Sequence, residues 1–160
     1  MREDNFWQVA AIAVILTLCA TLEKLTLIKN QVTEQDSTTE KILAELSKEI
    51  LDANQVSNIL NNPIEFPTEL IDKLSFATAL KYWNGQIDYH GGDCIMNNLF
   101  SFWIYNESYF NHYKFPDIAW ECYNAFDAGE FYRDNDDRSI DPSEKYTRPL
   151  VESLLKIENK

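Results

Sequence analysis

The stretch that decides the fold is HGGDCIMNNLFSFWIYN, from His90 to Asn106. Asp93 can cap the start of a helix, and most of the residues after it are large and apolar. The apolar residues cover most of a helix circumference, as expected for a helix surrounded by protein. They are Ile95, Met96, Leu99, Phe100, Phe102 and Trp103. Because Asn97, Asn98 and Ser101 interrupt the run, which is also too short to span a bilayer, it predicts a central core helix.

Helical patterns continue on both sides of this stretch. A helix is predicted over residues 67–83, because proline fits the first turn of a helix and Asn84-Gly85 fits its end. Further helices are predicted from residue 116 to near Gly129 and after residue 141, where Pro149 kinks the helix or delays its start. Upstream, a capping-box pattern predicts a helix from Thr38 to about Leu60. No run alternates over more than a few residues, so the domain is predicted to be all-α.

The amino-terminal run FWQVAAIAVILTLCATL, Phe6 to Leu22, carries no charge. With the residues up to Leu25 it is long enough to cross a hydrocarbon core. A cleaved signal peptide is the first alternative, but the basic region and the cleavage signal are weak. A buried core helix is the second, but the run lacks a polar face. The pattern favours an uncleaved single transmembrane helix that contacts the bilayer through residues 6–25.

The predicted fold class is therefore all-α, with an amino-terminal transmembrane helix followed by a small acidic helical domain. Residues 1–29 form the membrane anchor, residues 30–62 a connecting helix or neck, and residues 63–160 an acidic, aromatic-rich helical domain. The short, partly acidic tail before the anchor is light to translocate. The predicted localisation is therefore a bacterial inner membrane, with the carboxy-terminal domain in the cytoplasm.

Charge is the most informative feature for function. The formal net charge is −12, and residues 86–144 contain twelve acidic residues against three basic ones, a local net charge of −9. Such a field repels nucleic acid and anionic lipid headgroups and attracts basic partners. Direct nucleic-acid binding is therefore not expected, and a protein with a basic surface is the predicted partner. The loop DNDDRSID supplies the predicted partner-binding residues Asp134, Asp136, Asp137 and Asp141.

The chain contains cysteines, histidines and acidic residues that could act in catalysis or bind a metal. No two of them stand at a recognised catalytic or metal-binding spacing in the sequence. DNDDRSID departs from a calcium-binding loop at Arg138, Ser139 and Lys145, so no metal and no cofactor are predicted. The alternative is an enzyme, a Cys/His hydrolase or a metal-dependent one, that uses Cys94 as nucleophile and His112 as its base. Because Cys94 lies in an apolar helix, where small buried thiols are common packing residues, a non-enzymatic protein is predicted.

The segment NNLFSFWIYN, Asn97 to Asn106, resembles the signature of the DMP19-like family of acidic helical bacterial proteins. Phe100 and Asn106 match the spacing of the family's phenylalanine and closing asparagine, while Asn98 and Leu99 stand where its two glycines belong. The resemblance implies an all-α, non-enzymatic protein that acts by binding another protein. The predicted function is a phage- or defence-related, membrane-anchored binding module, either an immunity-type inhibitor or an accessory subunit of a membrane complex.

Overall fold

The computed structural model describes residues 38–61 and 67–158 of the 160-residue chain. The chain divides into two compact units, Met1–Glu40 and Lys41–Lys160, and nearly all described residues belong to the second. The helical elements are α1 (residues 38–46), α2 (Ala53–Ile59), α3 (Pro67–Trp83), α4 (Tyr89–Tyr105), α5 (Glu107–Phe110), α6 (Asp117–Asp127), the π-helical segment π1 (Ser143–Thr147) and α7 (Arg148–Glu158).

Every regular element in the described residues is helical, which confirms the all-α prediction. The predicted fold class with a transmembrane helix is wrong for the described structure, in which no helix is long and apolar enough to cross a membrane. The longest described helices, α3 and α4, have 17 residues each. They reach about 26 Å, short of the roughly 30 Å hydrocarbon core. The predicted anchor, residues 6–25, lies outside the described residues, and the predicted localisation stays a prediction.

The predicted central helix is confirmed by α4, which packs against α2, α3 and α6. Of its apolar side chains, Ile95, Met96, Leu99 and Phe102 are fully buried. Phe100 is only partly buried, and its ring contacts those of Phe115, which follows α5, and Tyr123 in α6.

The helix α4 begins earlier than the predicted cap at Asp93. Asp88 caps it instead, by accepting a hydrogen bond from the Gly91 N–H at 2.8 Å. Gly92 is helical and buried, and a Cβ atom at this position would lie 2.3 Å from the ring of Phe126. Glycine is therefore needed here because it lets α4 approach α6 closely, and not because the chain turns.

The helix predicted from Thr38 to about Leu60 is wrong in its middle, because α1 ends at residue 46 and α2 begins only at Ala53. Asp52 and Gln55 form a capping box that starts α2. Residues 41–61, which fall in the predicted neck, belong to the same compact unit as the later helices. The predicted domain boundaries themselves stay a prediction.

A buried amide in α4 fixes the segment between α1 and α2. The Asn98 side chain donates hydrogen bonds to the carbonyls of Leu46 and Glu49, both at 2.9 Å, and accepts one from the Leu51 N–H at 2.7 Å. Asn98 itself is fully buried. These three bonds satisfy backbone groups that the end of α1 leaves without helical partners, so they stabilise the break in the helix.

The prediction over residues 67–83 is confirmed, since α3 has these bounds and Gly85 follows it with a φ of 68°. The carboxy-terminal helix shows the expected effect of Pro149. Because proline has no backbone N–H, it cannot bond the carbonyl four residues earlier. The chain passes through π1 before it becomes regular in α7, and the Arg148 N–H bonds the carbonyl of Ser143.

Candidate protein-binding surface

The predicted partner-binding aspartates lie in the loop between α6 and π1, where Asp136 is the most constrained. Its carboxylate accepts hydrogen bonds from the Lys145 ammonium and the Tyr146 hydroxyl, each at 2.5 Å, and from the Arg133 N–H at 2.8 Å. Only 5% of its side chain is exposed. These bonds hold the pKa of the Asp136 carboxyl well below its usual range, and the bond from Lys145 has the largest effect. The Arg133 guanidinium also lies 3.9 Å from the centre of the Tyr146 ring.

Two of the other three aspartates cap turns within the same loop. Asp137 accepts a hydrogen bond from the Ser139 N–H at 2.9 Å. Asp141 accepts from the Ser143 N–H at 2.8 Å and from the Ser143 hydroxyl at 2.6 Å. These bonds lower the pKa of both carboxyls. Asp134 is exposed. The docking role of the four residues stays a prediction, but three of them already stabilise their own loop.

A second acidic group lies where the first turns of α4 meet the end of α6. It consists of Asp93, Asp127 and Glu130, here called the acidic trio. Burial raises the pKa of Asp93, Glu130 and Asp127 raise it further, and His90 and Asn97 lower it. Within the described residues, none of the trio forms an ion pair with a lysine or arginine. The trio is therefore a patch of negative charge with which no lysine or arginine of the described residues pairs.

An aromatic stack adjoins the acidic trio. The rings of Phe100 and Tyr123 stack with their centres 4.3 Å apart, and Trp120 follows Tyr123 at 6.0 Å. Burial raises the pKa of Tyr123, and the carboxylates of the trio raise it further. Tyr123, Asp127 and Glu130 have the i, i+4, i+7 spacing of one helix face in the sequence, although α6 ends at Asp127 and Glu130 lies just beyond it. Trp120 is 44% exposed, so part of its ring is accessible from solvent.

The other side of α6 faces α7 across an open groove of about 440 Å³. Its lining residues are Asp117, Ile118, Glu121, Asn124, Ala125, Leu150, Ser153 and Leu154. The lining contains two carboxylates and no lysine, arginine or histidine. The groove thus combines an apolar floor with an acidic edge.

The pairing of Cys94 with His112, on which the enzymatic alternative rested, is not the one that the fold favours. His112 is exposed, and its Nδ1 lies 3.1 Å from the Ser108 carbonyl. Cys94 Sγ instead lies 3.8 Å from the Nε2 atom of His90, one helical turn earlier. Cys94 is buried, and burial raises the pKa of its thiol. A catalytic cysteine needs the opposite shift, because the thiolate is the nucleophile.

The second described cysteine, Cys122, is also free and buried. Its thiol donates to the Ser75 carbonyl at 3.4 Å, and burial raises its pKa to about 12. In the described part of the chain, no three or more His, Cys, Asp or Glu residues converge as they would around a metal ion.

The segment that resembles the DMP19-like signature, Asn97–Asn106, spans the second half of α4 and the junction with α5. Its Phe100 belongs to the aromatic stack. No family model, no curated protein and no solved structure matches the chain. The resemblance stays a prediction, and the function has to be argued from the geometry of the surface.

Proposed function

We propose that this chain is a non-enzymatic protein-binding module whose acidic surface docks a basic partner protein. The observation that carries the proposal is the acidic trio, Asp93, Asp127 and Glu130. Like charges that interact without a lysine or arginine partner disfavour the folded chain, and a cation from another protein would relieve that cost. Asp134 extends the acidic surface along the loop that follows Glu130.

The neighbouring aromatic stack supports the same class of partner. Carboxylates attract a cation over long distances and increase the rate of association. Trp120, which is 44% exposed, offers a cation–π contact to a lysine or arginine of the same partner. An inhibitor that occupies the basic site of another protein, or an accessory subunit that binds a basic neighbour, would use such a surface.

Binding of a lysine-rich peptide to the full chain, measured by titration calorimetry at low salt, tests the proposal. The double variant Asp127→Asn/Glu130→Gln removes two charges from the trio. The control, Glu49→Gln/Glu69→Gln, removes two exposed charges elsewhere and has the same net charge. We expect the trio variant to bind about fivefold more weakly than the control, because close charge pairs contribute more than distant ones. Equal affinities for the two variants would contradict the proposal.

A further inference from the structure

The groove between α6 and α7 has the shape of a binding site for apolar side chains. Its volume of about 440 Å³ falls in the range of roughly 300–1,000 Å³ that is typical of binding pockets. Ile118 and Leu154 pack on the core from its floor, and Leu150 is 47% exposed at its side. Half of this leucine therefore stays in contact with water unless another apolar group covers it.

The charge at the groove selects among the possible occupants. Asp117 and Glu121 line it, and Lys114, the ion-pair partner of Asp117, is 81% exposed. Such a surface pair contributes little and is easily exchanged for another cation. A second copy of this chain would bring a net charge of −12 to the groove, and an anionic membrane would be repelled in the same way. A cationic occupant with apolar side chains is the complementary one.

The two walls of the groove indicate the form of that occupant. Both α6 and α7 have 11 residues, so each wall is about 16 Å long. Two helices side by side offer ridges and grooves into which the apolar face of a third helix packs. About three turns of a partner helix would match this length, with apolar side chains at i, i+3, i+4 and i+7.

We propose that the α6–α7 groove binds the apolar face of a basic amphipathic helix supplied by the partner protein. Leucine-like side chains of that helix cover Leu150, Ile118 and Leu154, and its lysines or arginines pair with Glu121 and Asp117. The inference rests on the proposed function, because it specifies which segment of the basic partner binds and where on this chain it binds. The acidic trio, on the other side of α6, then contacts cations outside this helix.

Two peptides of about 15 residues and the same Lys/Leu composition test this inference against the full chain. In the first, the leucines share one helix face; in the second, the order is scrambled so that they do not. We expect the amphipathic peptide to bind about tenfold more tightly than the scrambled one in titration calorimetry. Leu150→Lys, which places a cation and removes apolar surface in the groove, should abolish that difference.

The matched control is Ile140→Lys. Ile140 is 46% exposed in the loop before π1, so the control makes the same charge change at a similar exposure outside the groove. It should keep the tenfold preference for the amphipathic peptide. Leu150→Ala, which removes apolar surface without adding charge, should reduce the preference in part.

The outcomes separate this inference from the proposed function. Equal affinities of the two peptides for the unaltered chain would overturn the groove as the binding site. An equal loss of the preference for the amphipathic peptide in Leu150→Lys and Ile140→Lys would do the same. If the scrambled peptide still depends on Asp127 and Glu130, the acidic docking surface stands without the groove. If neither peptide binds, both proposals fail.

Discussion

Polar side chains on the two faces of α4 have opposite environments. On one face, the amide of Asn98 is fully buried and makes three hydrogen bonds to backbone groups of the segment between α1 and α2. On the other, Asp93 lies beside Asp127 and Glu130, which raise its pKa. The amide of Asn98 is satisfied by backbone groups of the chain, whereas no lysine or arginine of the described residues pairs with Asp93. Polar residues that support the fold and polar residues proposed for partner binding therefore lie on one helix.

The largest effect is expected at Asn98. Asn98→Ala removes the partner of one buried carbonyl and of a partly buried carbonyl and N–H, so we expect the free energy of unfolding to fall by about 3 kcal/mol. Asn97→Ala is the matched control, since Asn97 bonds only within α4, to the backbone and side chain of Asp93. It should cost less than about 1 kcal/mol in the same urea unfolding experiment. Similar losses in the two variants would mean that the first face is not held by Asn98.

An intermediate effect is expected at Asp136, whose carboxylate is paired but lies near the surface. Asp136→Asn should lower the midpoint of thermal unfolding at neutral pH, whereas Asp134→Asn, at an exposed position, should leave it nearly unchanged. The pKa of Asp136 is lower in the folded chain than in the unfolded chain. The ionised carboxylate therefore stabilises the folded chain at any pH above the unfolded-state pKa, which is near 4. This stabilisation is lost as the pH falls further, toward the folded-state pKa. The gap between the two variants should therefore narrow in acid, and a gap that widens would contradict this pairing.

The smallest effect, with the opposite sign, is expected at Asp93. Its pKa is raised in the folded state, so the ionised carboxylate opposes folding at neutral pH. Asp93→Asn should raise the free energy of unfolding by less than about 0.5 kcal/mol, and the midpoint of thermal unfolding should rise slightly with it. The difference from the unaltered chain should shrink as the pH falls through the folded-state pKa and should be absent below the unfolded-state pKa, near pH 4, where Asp93 is protonated in both states. A clear loss of stability in Asp93→Asn at neutral pH would mean that the trio is compensated after all.

Local signals in the sequence predicted much of the fold. Pro67 and Asn84-Gly85 gave the bounds of α3, and the apolar circumference after Asp93 identified α4 as the core. The break between α1 and α2 was missed because Asn98, which stabilises it, lies 47 residues from Leu51. The role of Gly92 depends on the ring of Phe126, another partner distant in sequence.

The sequence predicted that the candidate surface is negatively charged, but not which residues form it. Counting acids identified the region, but Asp136 and Asp141 could not be recognised as internal partners of Lys145 and Ser143 before the loop was folded. The acidic trio was missed because its residues come from two helices that are distant in sequence, the beginning of α4 and the end of α6. Helix spacing alone could have grouped Asp127 with Glu130, but not with Asp93.

The most direct test of the docking surface is an NMR titration of the full chain with a lysine-rich peptide at low salt. Amide chemical shifts report where the peptide binds, independently of how tightly. The acidic trio should bind first, so the largest shifts are predicted at Asp93, Asp127 and Glu130. Shifts confined to residues 133–141, or spread evenly over all acidic residues, would contradict the account.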